Sequence, residues 1–167
     1  GEIAGVYRHD ISSPGNWEIV APQGTPGFTP LGSDGRDAFV LSVFPDNENE
    51  LILAGLNWYT LSDAERWTQT AQHFNPSNNT YIPRSMFTVV FDPSDPNHMV
   101  VGTSSEITVS FDGGQTFVRR SKGYESTSSM RVHSFGFELE GETPEVQDVI
   151  ITSTQSDGVL YNRNYAG

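Results

Sequence analysis

The chain has 167 residues, enough for one sizeable core, since a chain of this size removes about 70% of its unfolded surface from water. Its 16 Gly, 10 Pro and 11% aromatic content favour many short strands joined by tight turns, an all-β chain. A formal charge of −12, with a single Lys, repels polyanions and excludes nucleic acid as the expected partner. The absence of Cys excludes a disulfide framework and any thiolate metal site or nucleophile.

No apolar run approaches the roughly 20 residues that cross a bilayer, so no membrane insertion is expected. In chain order, GVYRHD reads as the third strand of a repeat unit, followed by the turn-rich HDISSPGNW. Three longer segments then align with one another, starting at Asp37, Met86 and Arg131. Each runs strand, Pro- or Gly-bearing turn, strand, short loop, strand. An aromatic recurs at Trp17, Trp67 and Phe117, fifty residues apart both times, and another ends the first strand at Phe44, Phe91 and Phe137. A period near fifty with about four strands per unit suits a β-propeller, whose blades bury their faces only by stacking on neighbours. The repeat pieces fall at 1–20, 37–70, 86–120 and 131–167.

Within the second segment, Phe87, Val89 and Phe91 alternate onto one apolar face, and Val100 with Val101 marks a more fully buried strand. Between them, DPSDPN has turn chemistry, with Pro fixing φ and Asp or Asn bonding to nearby backbone.

Ser110-Phe111-Asp112-Gly113-Gly114-Gln115-Thr116-Phe117 resembles the Asp-box, or bacterial neuraminidase repeat, with Ser110, Asp112, Gly114 and Phe117 fitting its pattern. Side-chain oxygens would clamp the turn backbone, the glycines would take positive φ, and the aromatic would pack back between sheets. The resemblance implies that this box is structural and joins the third and fourth strands of a blade. TLSDAERW is similar to it, with Thr60, Ser62, Ala64 and Trp67 in the equivalent places; HDISSPGNW carries Asp10, Gly15 and Trp17 with one extra residue. On this pattern the chain holds about thirteen strands, a segment of about three four-stranded blades that is incomplete on its own. Further blades, from the same or another polypeptide, are the expected partners.

In such propellers the ligand face carries the loops from fourth to first strand and from second to third. Here these are 21–36, 71–85 and 121–130, with short turns at 57–58, 104–106 and 155–157. They nominate Trp58, His73, Tyr81, Arg84, Glu106, Tyr124, Arg131 and Asp157 as ligand-binding residues, aromatic platforms and hydrogen-bonding groups suited to a glycan or a peptide. Aromatics in loops also serve simply to pin those loops.

Two enzymatic resemblances bear on activity. Sialidases share the Asp-box but need an arginine triad; Arg36, Arg84 and Arg131 recur near the start of successive first strands, a recurrence that edge solvation also produces. GEIAGVYRHD is similar to a stretch of xyloglucan-cleaving endoglucanases, with Gly5, Tyr7 and Arg8 matching and Glu2 at the place of the catalytic Asp. The four His residues form no paired motif, so neither a metal nor a cofactor is expected. The leading expectation is a non-catalytic binding or assembly module, in the manner of sortilin-like receptors, in an extracellular or cell-envelope setting. The alternative is a glycoside hydrolase of which these blades are a part.

Overall fold

The computed structural model describes residues 3–22, 27–32, 35–62, 66–120, 149–154 and 158–163, with 21–22 and the last two segments as backbone only. Among the described residues the protein is all-β, with twelve strands and no helix. The expected first strand of the last repeat, at 131–137, lies outside them.

Strands β1 (Gly5–His9) and β2 (Trp17–Pro22) form an antiparallel hairpin. A four-stranded antiparallel sheet follows in strict chain order: β3 (Val40–Phe44), β4 (Asn47–Ala54), β5 (Trp58–Leu61) and β6 (Trp67–Ala71). A second has the same order: β7 (Met86–Asp92), β8 (Asp95–Thr103), β9 (Ile107–Ser110) and β10 (Val118–Arg119). A further hairpin pairs β11 (Val149–Thr154) with β12 (Gly158–Arg163). None of these sheets closes on itself as a barrel.

Local chemistry sets the strand ends. Asp92 Oδ1 accepts from the Ser94 amide at 2.8 Å and the Ser94 hydroxyl at 2.7 Å, and Asp95 Oδ1 accepts from the Asn97 amide at 3.0 Å. These side chains bend the backbone between β7 and β8 by satisfying donors that a straight ladder would have used. Asn47 does the same for the Asn49 amide at the start of β4.

Comparing the two ladders by their pairs gives the true repeat register. Val43 faces Leu51 where Phe91 faces Met99, and Phe44 faces Asn47 where Asp92 faces Asp95. Phe44 and Phe91 therefore occupy positions one residue apart in the repeat, which corrects their expected equivalence. Instead of being equivalent they touch, with ring centroids 5.1 Å apart.

The two four-stranded sheets pack face to face. Val40, Ile52, Ala54, Trp58 and Ala71 of the first meet Met86, Met99, Val101 and Phe117 of the second, with Val89 and Phe91 at the margin. β3 and β7 are in contact, and the Met86 amide donates to the Gly55 carbonyl at 3.0 Å. On the opposite face of the first sheet, Leu53 packs with Val6, and Ile3, Val20, Phe28 and Trp67 surround them. Each large aliphatic side chain fully buried in this way contributes about 1.5–3 kcal/mol.

Leu53 and its ladder partner Leu41 point to one face but differ sharply in surroundings, Leu53 being buried and Leu41 exposed. Leu53→Ala should cost about 2–5 kcal/mol, whereas Leu41→Ala should cost under about 1 kcal/mol. Urea denaturation of the two variants checks the difference.

Candidate functional site

The turn at 110–117 is held by its own side chains. The Ser110 hydroxyl donates to Asp112 Oδ1 at 2.9 Å and accepts from the Gly114 amide at 2.8 Å. Asp112 Oδ1 also accepts from the amides of Gln115 at 3.0 Å and Thr116 at 2.8 Å, and its Oδ2 accepts from the Thr116 hydroxyl at 2.5 Å. Burial pushes the Asp112 carboxyl up, but the bonds from Thr116, Ser110 and Gln115 outweigh it and hold the group below the usual carboxylate range.

Gly113 and Gly114 have φ of 70° and 86°, a region that side chains rarely enter. At Gly114 a Cβ would also lie 3.0 Å from the Trp58 ring. That ring is fully buried, and Phe117 meets it edge-on at 5.2 Å. The turn thus closes the β9–β10 hairpin and presses its own glycine and aromatic onto the previous sheet.

The related turns keep the anchor and change the clamp. Between the Thr60–Thr68 pair and the Val109–Val118 pair lie seven residues, 61–67, and eight, 110–117, respectively; between Arg8 and Glu18 lie nine, 9–17. The second turn is one residue shorter than an equivalence of Thr60 with Ser110 implies, and buried Leu61 stands where Ser110 does. Trp67 still reaches back, its Nε1 donating to the Val20 carbonyl at 2.9 Å. In the first turn, Asp10 accepts from the Ser12 amide and hydroxyl, Gly15 has φ of 98°, and Trp17 is 67% exposed beside His9. Ala64 lies outside the described residues.

At the other end of the sheets the connections gather. The His73 ring meets Asn57 Oδ1 at 3.2 Å, Asn57 Nδ2 donates to the Thr29 carbonyl at 3.1 Å, and the Ser104 hydroxyl donates to the Arg84 carbonyl at 3.2 Å. His73 contacts Phe74, which is largely exposed. Tyr81, in an isolated bridge with Gln72, sits within electrostatic reach of Glu106 and Arg119. Burial and then the Glu106 charge push its phenol above the ordinary value, while Arg119 offsets part of this.

Of the residues nominated from sequence, His73, Tyr81, Arg84 and Glu106 lie along this end. Trp58 does not belong with them: it opens β5, is 0% exposed and is a core side chain, because Gly114 and Phe117 cover its ring. Glu106 is buried and ion-paired with Arg119, whose exposed side chain was not anticipated. The partner of Glu106 stands thirteen positions later in the chain, beyond the reach of any local signal. Glu2, Tyr124, Arg131 and Asp157 lie outside the described residues.

At the clamp end, a cleft of about 400 Å³ between the two four-stranded sheets is lined by hydroxyls of Thr60, Thr68 and Thr70 and by Asp46, Glu50 and Asp112. Nearby, Asp92 Oδ2 accepts from His98 Nδ1 at 3.1 Å, and the His98 ring stacks on Phe111. Burial raises the Asp92 carboxyl, but bonds from Ser94 and His98 bring it below its usual range. Among the described residues no three His, Cys, Asp or Glu side chains gather as a metal site. No family model matches the sequence, and no curated protein matches it.

Two outcomes follow from the clamp. Gly114→Ala should destabilise more than Gly113→Ala, since both lose a favourable φ but only Gly114 would collide with Trp58; thermal unfolding ranks them. Asp112 and Asp92 are held below the unfolded Asp value of about 3.9, so the unfolded chain binds protons first as pH falls. Their stabilisation is complete above that value and is lost as pH drops through the folded-state values beneath it. Asp112→Asn should therefore flatten the acid side of a stability-against-pH curve as well as lowering stability at neutral pH.

Proposed function

We propose that this chain is a run of Asp-box β-propeller blades serving as a non-catalytic module for binding or assembly. Its ligand, a glycan or a protein, meets the end of the sheets that carries His73, Tyr81 and Arg84. Additional blades, from the same or another polypeptide, complete the ring, and the setting is extracellular or the cell envelope.

The observation that carries this reading is the repeated way in which one sheet leans on the one before it. Trp67 reaches back to β2 and Phe117 to β5, each from the turn before the fourth strand of its sheet. Two meanders with the same strand order and the same backward-reaching aromatic are serial blades in all but the closing of the ring. The box carboxylate of Asp112 is consumed by its own turn and Glu106 by Arg119, so both act as structural groups.

Arg84 is exposed, and its carbonyl accepts from the Ser104 hydroxyl, a backbone bond that an Arg84→Glu variant keeps. Its binding to glycans or peptides captured on an array should fall at least about tenfold, about 1.4 kcal/mol, with an unchanged melting temperature. Hydrolysis of β-glucans or sialosides at ordinary enzymatic rates by the native particle would overturn the non-catalytic reading in favour of a glycoside hydrolase.

A further inference from the structure

Phe39, Leu41 and Val43 fall on alternate positions and so share one face of β3 and its approach. They are 53%, 47% and 49% exposed, an apolar stripe on an otherwise acidic protein. The ladder partners of Leu41 and Val43 are Leu53 and Leu51, both buried, and Leu53 lies under Val6 of β1. The β1–β2 hairpin thus covers the outer part of this face and stops short of its inner strand.

The second four-stranded sheet shows what covers those positions when the cover is whole. Leu41 and Val43 correspond by register to Val89 and Phe91 of β7. These pack against the core that holds Val40 and Phe44 of β3. β1 and β2 correspond to β5 and β6, with Val6 in the place of Trp58 and Trp17 in that of Trp67. Among the described residues, β1 pairs with no strand but β2, and none of the described strands stands to this hairpin as β3 and β4 stand to β5 and β6.

We propose that this surface takes a two-stranded antiparallel β-hairpin from outside residues 1–167. One strand of it hydrogen-bonds to β1, and the other lays alternate apolar side chains over Phe39, Leu41 and Val43, as β3 does over Val89 and Phe91. The site continues an interface that β1 and β2 already make, and main-chain pairing supplies its binding energy while the stripe supplies register. The proposal rests on the serial-sheet reading above and adds to it the place and pattern of the missing element.

The probe is a second copy of residues 38–55, the β3–β4 hairpin, fused ahead of Gly1 of the full chain so that its effective concentration is in the millimolar range. Amide hydrogen exchange in β1 should slow at least tenfold in the fusion, and the melting temperature should rise. Leu41→Asp, or Phe39→Ser outside any strand, should abolish both gains while lowering the melting temperature of the unfused chain only slightly. Unchanged exchange in β1, or protection that survives both substitutions, overturns the proposal. So does a concentration-dependent dimer of the unfused chain that Leu41→Asp dissociates, because a second copy would then be the occupant. Arg84→Glu separates this from the proposed ligand end: loss of the fusion effect with ligand binding intact rejects the hairpin site alone, and the converse rejects the ligand reading alone.

Discussion

The structure depends on one contact, the pressing of the 110–117 turn onto Trp58 of the preceding sheet. The Trp58 ring is inaccessible within the core between the two sheets, where Gly114, lacking a side chain, lies against it and Phe117 arrives edge-on. Gly114 can be there only because Asp112 and Ser110 hold the turn with both glycines at positive φ. Hydrogen bonding, backbone conformation and sheet packing are therefore a single linked arrangement: loosening the carboxylate clamp exposes a tryptophan in another sheet.

The other turns show which part of that arrangement tolerates change. At 61–67 the loop is shorter and buried Leu61 replaces the clamping hydroxyl, yet Trp67 still bonds back to Val20. At 9–17 an Asx-type turn forms around Asp10, and Trp17 remains exposed. The backward-reaching aromatic needs a neighbouring face more than it needs a particular turn.

Short-range chemistry was the legible part of the sequence. The positive-φ glycines, the Asp112 and Asp92 bonds and the burial of Val100 and Val101 all follow from residues within a few positions of one another. What the sequence concealed depended on distant partners. Trp58 beside Asn57 looks like a loop platform, and only Gly114 and Phe117, more than fifty positions later, make it a core residue. Phe44 and Phe91 look like one repeat position, but the two ladders end with the same irregular pairing, which aligns Phe44 with Asp92, each just ahead of a proline, and sets the two aromatics one residue apart. Of the binding residues nominated, the alternation in β5 could have removed Trp58, since it shares a face with Ile52 through Thr60 and Ala54. Nothing local announced the pairing of Glu106 with Arg119.

Strand order that never departs from chain order has a kinetic consequence. Every pair within the two four-stranded sheets joins neighbours in sequence, through connections as short as the two residues between Asp92 and Asp95 and no longer than the 110–117 turn within the second sheet. Hairpins of this kind form in about 1–10 μs, well before sheets made of them find one another. The slow event is then the docking of one finished meander on the last, and the Trp58 face is where that docking registers. A chain built so can assemble in order as it emerges, each sheet offering the next a ready surface and leaving its newest edge to be covered by whatever follows.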